Sequence, residues 1–279
     1  MILVVVAHPD DEALWFGASI CGLVNDLNQE VSVLCLSGHD QDSAREDEFK
    51  RSQRVAGFQK GQVLGGKLRK AGEPLPSVRE TLETGLRDLD ISLSQIQIVI
   101  THSPYGDEHR HPHHVQCFKS LNRWCKSVNK PLAFFSTIPI PAGLMKPTLK
   151  GLMRSNLFHV TNISRCVFGP IERLKYFNAA GSFRLPKFYF QFVGPADKKI
   201  EMIRSYQSVD QYSFKAGYGM YTCNAESLYV LSRDGYNNLL SIVGAAEYPA
   251  TDQLFGQIRY KVIALKNHTN ILIKRAGLN

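Results

Sequence analysis

The stretch Ile2-Leu3-Val4-Val5-Val6-Ala7-His8-Pro9-Asp10-Asp11-Glu12 decides how the rest of the chain is read. Five consecutive aliphatic residues without polar alternation are the pattern of a strand buried on both faces of a parallel sheet. A polar loop, His8 to Glu12, cuts the run, and a helical pattern follows over about 12–28. Val31–Leu36 is a second apolar run, bounded by Ser37-Gly38, so this segment reads as a βαβ unit. Outward from it the rhythm repeats: helix 42–58, a short strand Gln62–Leu64, a loop at Gly65-Gly66, helix 77–90, strand Gln97–Ile100, helix 112–128 and strand Leu132–Phe135. Strands alternating with helices predict an α/β fold, Rossmann-like, with an open and mostly parallel sheet, flanking helices and right-handed crossovers.

After residue 136 the rhythm breaks at Pro139, Pro141 and Pro147, and aromatic and basic residues become dense up to Val193. A helix is expected over Ala196–Ser208, and 226–243 and 252–264 carry weaker helix or strand signals. No Ser/Gly linker separates the parts, so the expectation is one domain over 1–279: a Rossmann-like core at 1–136, a basic and aromatic substrate-side elaboration at 137–195, and C-terminal elements at 196–279.

Composition narrows the function classes. With 44% hydrophobic and 21% charged residues over 279 positions, neither disorder nor a repetitive fibre fits. The apolar run at the N-terminus meets a charged motif at once, which predicts a buried strand rather than a signal peptide. No stretch reaches the 18 or more uncharged apolar residues of a membrane span. Six cysteines without a C-x-x-C pair read as reduced cytosolic thiols.

The charge is uneven. The chain carries a formal +8, and residues 138–193 hold eight basic residues against Glu172 alone, a net of +7. An acidic partner is therefore expected on that side. Within it Met145, Leu149, Leu152, Met153 and Leu157 share a helical face flanked by Lys146, Lys150 and Arg154. Two readings stand side by side: peripheral membrane contact through 145–157, and a helix packed on the sheet with a solvated basic edge.

In a parallel α/β sheet, ligands collect at the carboxyl ends of strands. Two such places are dense in chemistry: His8 to Glu12 after the first strand, and Thr101 to His114 after the strand ending at Ile100, where five of the nine histidines lie. Imidazoles with carboxylates form the ligand set of Zn²⁺, and a catalytic zinc keeps three protein ligands and one open position. His8 and Asp11, three residues apart on a loop entering a helix, can turn toward one point. Asp10 between them is placed to hydrogen-bond a water and act as general base. His111 and His114 repeat the spacing, so one can ligate while the other faces a substrate. The competing readings are a helix N-cap with first-turn acids for Asp10 and Asp11, a polar histidine loop for His111 and His114, and His113 as a rival ligand. His102 and His109 are weighted toward structural roles.

Together, Ala7-His8-Pro9-Asp10-Asp11-Glu12 after an N-terminal strand and His111-Pro112-His113-His114 after a later one resemble the PIG-L/LmbE superfamily of zinc-dependent N-deacetylases. The resemblance covers about residues 1–135. It implies His8, Asp11 and His114 as metal ligands, Asp10 as general base, and His111 as the group that polarises an acetyl carbonyl or stabilises its oxyanion. Arg45 and Glu48 resemble the family's R-x-x-E, whose Arg contacts substrate. The chain departs from the pattern twice. His113 stands where the family commonly has an Asp that orients the first histidine, and Gly106 to Arg110 replaces a lead-in containing Tyr. Tyr105 and His109 are the candidate substrate-binding substitutes.

The implied activity is removal of acetyl from an N-acetylated amino sugar of the N-acetylglucosamine type, within a phosphorylated or lipid-linked glycoconjugate. The implied cofactor is Zn²⁺, with Fe²⁺ as the alternative ion. The expected location is the cytoplasm, at the inner face of the membrane. No nucleic-acid module motif is present, so nucleic acid is not expected as a partner. The alternative is a non-catalytic binder of sugar conjugates or nucleic acid on the same fold.

Overall fold

The computed structural model describes residues 1–38, 44–66, 73–104, 111–136, 188–208 and 225–243. The segment 145–157, read either as a membrane contact or as a helix packed on the sheet, lies outside them, as do Tyr105, His109 and 252–264. Strand β1 (Ile2–Val6) is flanked in parallel by β2 (Val31–Cys35) and β4 (Ile98–Thr101). Its side chains explain the unbroken apolar run: Ile2, Val4 and Val6 enter one core, Leu3 and Val5 the other, all completely buried. Burying a Val, Leu or Ile contributes about 1.5–3 kcal/mol, so a charge at Val4 is expected to unfold the domain.

The first core packs α1 (Asp11–Cys21) and α2 (Ala44–Ala56) against the sheet through Phe16, Ile20 and Phe49. The second packs α3 (Val78–Asp88) and α4 (Pro112–Ser127) through Leu82, Leu86, Phe118 and Leu121. Helices thus cover both faces, as the sequence pattern predicts.

Two further strands, β3 (Lys60–Val63) and β5 (Leu132–Ser136), continue the parallel set beyond β2 and β4. The sheet does not stop at β5. β7 (Ala225–Val230) pairs antiparallel with it, and β6 (Phe188–Val193) antiparallel with β7, giving the order β3-β2-β1-β4-β5-β7-β6. Part of the aromatic segment assigned to a substrate-side elaboration is therefore an edge strand. Because β1 leads to β2 on one side and has β4 on the other, the strand order reverses between β1 and β4. The crevice outside their carboxyl ends is the switch point where such folds bind ligands.

The second half braces α1 from behind. Helix α5 (Ala196–Arg204) contributes Met202 and Ile203 to the first core, and α6 (Arg233–Val243) contributes Tyr236 and Leu239. Just after β6, Gly194 approaches α1 so closely that a Cβ there would sit 1.8 Å from the Ala18 carbonyl oxygen. The buried carboxylate of Glu226 accepts the Ala18 and Ser19 backbone N–H groups and the Ser19 hydroxyl. Past these contacts α1 passes into a π-helical turn at Gly22–Asp26, where the sequence predicted one uninterrupted helix. Lys199 pairs with the same carboxylate, both side chains buried. The helix expected to reach Ser208 ends at Arg204 because the following backbone is drawn to α2. Gln207 and Ser208 donate their N–H groups to Glu48 Oε1 at 2.8 and 2.7 Å.

Candidate active site

The loop after β1 carries His8, Pro9 and Asp10 into the first turn of α1. Asp10 occupies the position before the helix with φ 118°, a left-handed conformation that L residues rarely adopt and that costs energy unless its surroundings enforce it. Three contacts enforce it. The Asp10 N–H donates to Glu12 Oε2 at 3.1 Å. Arg45 donates to Asp10 Oδ2 at 3.0 Å and to the Pro9 carbonyl at 2.9 Å. Glu12, fully buried, is itself held by the hydroxyls of Ser52 and Tyr206. The bland N-cap reading of Asp10 therefore describes its position and not its side chain, which makes no capping bond.

The loop after β4 and the start of α4 supply the facing groups. His111 precedes the helix and Pro112 occupies its first turn, where the missing N–H has no cost. This turn directs the rings of His111 and His114 toward His8, at centroid distances of 4.8 and 5.3 Å. Three residues converge. His8 Nδ1 lies 3.2 Å from Asp11 Oδ2, His114 Nε2 lies 3.2 Å from Asp11 Oδ1, and the two ring nitrogens are 3.3 Å apart. Four donors arranged tetrahedrally at about 2.0–2.1 Å from a zinc ion are separated by about 3.3–3.4 Å. His8, Asp11 and His114 therefore fit a divalent metal. A second group that could hold an ion, His8 with His111 and His113, shares the same ring.

Electrostatics separates the two adjacent carboxylates. Burial, together with the charge of Asp11, raises the Asp10 pKa to about 7, and Arg45 opposes that rise. Burial works the same way on Asp11, yet the His114 and His102 rings outweigh it and hold that carboxyl well below the usual range. One member is thus suited to exchange a proton near neutrality and the other to remain an anion, the separation expected of a base beside a ligand. Burial and the neighbouring His8 lower His111 to about 4, so its ring is neutral at pH 7 and offers one N–H.

The structure brings together six of the eight site residues expected from sequence: His8, Asp10, Asp11, Arg45, His111 and His114. Tyr105 and His109 lie outside the described residues. Arg45, expected on substrate, holds Asp10. Sequence reasoning named Glu48 and weighted His102 toward a structural role, but it missed Glu12 as a support and the contacts of all three. Glu48 of the R-x-x-E pair holds Gln207 and Ser208, Glu12 anchors the Asp10 backbone, and His102 accepts the Ala7 N–H at 2.9 Å while its ring stacks on His114 at 4.0 Å. Glu12 and Glu48 were findable as acids on otherwise apolar helix faces.

At the switch point of a doubly covered α/β sheet, two histidines and a carboxylate thus converge in a group that could hold a metal ion, with a second carboxylate beside it. Residues 3–125 match the model of the PIG-L family, described as GlcNAc-PI de-N-acetylase. A curated relative, the probable N-acetylglucosaminyl-phosphatidylinositol de-N-acetylase of Schizosaccharomyces pombe, is 29% identical over 144 residues, 48% of this chain. The match spans only 55% of that relative's length. Among solved structures, a triple mutant of a deacetylase of the teicoplanin biosynthetic pathway aligns with a TM-score of 0.50 at 14% identity, over 82% of this chain and 96% of that one. An N,N'-diacetylchitobiose deacetylase from Pyrococcus horikoshii aligns with a TM-score of 0.41 at 16% identity, over 90% of this chain and 88% of that one. The teicoplanin-pathway structure bears out the α/β fold.

Proposed function

We propose that the chain is a metal-dependent N-deacetylase that hydrolyses the acetamide of an N-acetylated amino sugar in a larger conjugate. The observation that carries this is the convergence of His8, Asp11 and His114 at 3.2–3.3 Å beside Asp10, inside the segment that matches the de-N-acetylase family. Zn²⁺ is the favoured ion for two imidazoles and a carboxylate, with Fe²⁺ as the alternative. Bound there, it would supply Lewis acidity toward a carbonyl oxygen and toward water.

The chain's own residues do the rest. Asp10 takes a proton from the attacking water as its oxygen bonds to the acetyl carbon. His111, neutral, donates its N–H to the carbonyl oxygen as negative charge develops on it. When the C–N bond breaks, Asp10 returns the proton to the departing nitrogen, so water and amide become acetate and amine. Arg45 keeps the Asp10 carboxylate aimed throughout.

The substrate we propose is an acidic glycoconjugate, phosphorylated or lipid-linked. The net +7 of residues 138–193 and the phosphatidylinositol conjugate named for the S. pombe relative support it. Tyr105 and His109 are the proposed further substrate contacts, 145–157 the proposed membrane contact, and the cytoplasmic membrane face the proposed location. No helix among the described residues is long and apolar enough to cross a membrane. We take the whole chain as one domain, with the sheet continuing through β7 and β6. The test is acetate release from free N-acetylglucosamine, a nucleotide sugar and N-acetylglucosaminyl-phosphatidylinositol, with metal content measured in parallel. Release from the lipid conjugate above the free sugar is expected. A metal-free protein that releases no acetate and binds DNA with steep salt dependence establishes the non-catalytic reading instead.

A further inference from the structure

His8 presents two ring nitrogens, and only one faces the ligand cluster. Nδ1 points to Asp11 and His114, while Nε2 lies 2.7 Å from His113 Nδ1. His113 Nε2 in turn bonds the Glu73 carbonyl oxygen. A carbonyl can only accept, so His113 Nε2 carries the hydrogen. A neutral imidazole has a single N–H, which leaves His113 Nδ1 as an acceptor. The hydrogen shared with His8 therefore belongs to His8 Nε2, and His8 Nδ1 is left bare. His113 is 1% exposed.

We propose that His113 is a positioning residue: the chain from the Glu73 carbonyl through His113 to His8 fixes the tautomer and tilt of His8, so that Nδ1 offers its lone pair to a divalent cation. This rests on the reading of His8 as a ligand. The rival use of the same atoms, a second ion between His8, His111 and His113, conflicts with the distance. At 2.7 Å the His8 and His113 nitrogens are spaced for one shared hydrogen, whereas two donors on one tetrahedral zinc stand about 3.3–3.4 Å apart. The arrangement also accounts for a bare nitrogen aimed at a carboxylate in a buried site, which repels unless a cation lies between them.

The sequence gives no hint of this partnership. By position, His113 sits between His111 and His114 and would be expected to serve one of them. In the structure its ring stands edge-on to His111 at 4.9 Å, and its hydrogen bonds go elsewhere.

Two measurements test it. Nitrogen-15 spectra of histidine-labelled, metal-free protein are expected to show His8 with its hydrogen on Nε2; a hydrogen on Nδ1 overturns the relay. In chelator competition with Co²⁺, His113→Phe, which keeps a ring but no acceptor, is expected to weaken binding about 10–100-fold, the usual effect of removing a partner of a ligating histidine. His113→Asp, which restores an acceptor, is expected to recover most of the loss and the wild-type cobalt absorption. Wild-type affinity in a folded His113→Phe protein overturns the relay alone, provided that His114→Ala loses the ion. If wild-type protein takes up no Co²⁺, the ligand reading and the relay fall together. Should His113→Phe not fold, the tautomer of the wild-type ring decides.

Discussion

The parallel half of the sheet and the antiparallel edge appended to it make opposite contributions. Strands β1 and β4, with the helices that follow them, supply His8, Asp10, Asp11, His111 and His114, and both groups able to hold a metal among the described residues. The appended elements supply none of these, yet Glu226 and Lys199 grip the back of α1, and Tyr206 reaches Glu12 beneath the loop after β1. The difference teaches that reactive groups are displayed where parallel strands end, while their precision is secured by residues far away in sequence. Changes in the parallel half should therefore damage chemistry, and changes in the appended half should damage stability.

The largest expected effect is on chemistry. Asp10→Asn should lower kcat by about 10²–10⁴, the usual contribution of a positioned base, with metal content unchanged in elemental analysis. Full activity in this variant sinks the mechanism.

Next is the appended half. Removing one partner of a buried ion pair costs about 3–5 kcal/mol, so Lys199→Ala should lose that much unfolding free energy in a denaturant titration. Its folded fraction should keep a near-normal kcat, and a kcat loss larger than the stability loss would erase the contrast between the halves.

Arg45→Met sharpens the comparison further. A misplaced catalytic group costs up to about 100-fold, so if Arg45 orients Asp10, kcat falls and KM stays. A rise in KM with kcat unchanged would return Arg45 to the substrate. The smallest change is Tyr206→Phe, which removes a hydrogen bond to a carboxylate and should cost about 1.5 kcal/mol by thermal unfolding. No stability change at all would mean that Ser52 and the Asp10 N–H hold Glu12 without help from Tyr206.

Much of the parallel half was legible in the sequence for a simple reason: its signals are local. Five aliphatic residues in a row identify β1, and the i, i+3 pairs His8/Asp11 and His111/His114 sit directly beyond strands. The supports were not legible because their partners are distant. Glu12 meets Tyr206 and Ser19 meets Glu226 across about two hundred positions, and no spacing rule reaches that far. The antiparallel edge was obscured differently, because the dense charge and aromatic content before Val193 suggested a separate elaboration and hid a strand. Arg45 was recognised as important from its motif, but its partners, Pro9 and Asp10, lie about 35 positions away on another loop, which a motif does not encode.

His8 and Asp11 are neighbours in sequence, whereas His8 and His114 lie 106 positions apart. An ion joining all three would act as a clasp that closes a loop more than a hundred residues long, and closing long loops is where such clasps remove most freedom from the unfolded chain. At free-ion concentrations about a hundredfold above Kd, mass action alone would add about 2.7 kcal/mol to the folded state. Melting temperature would then report ion supply, and chelated and metal-replete preparations of one sequence would behave as two materials of different durability.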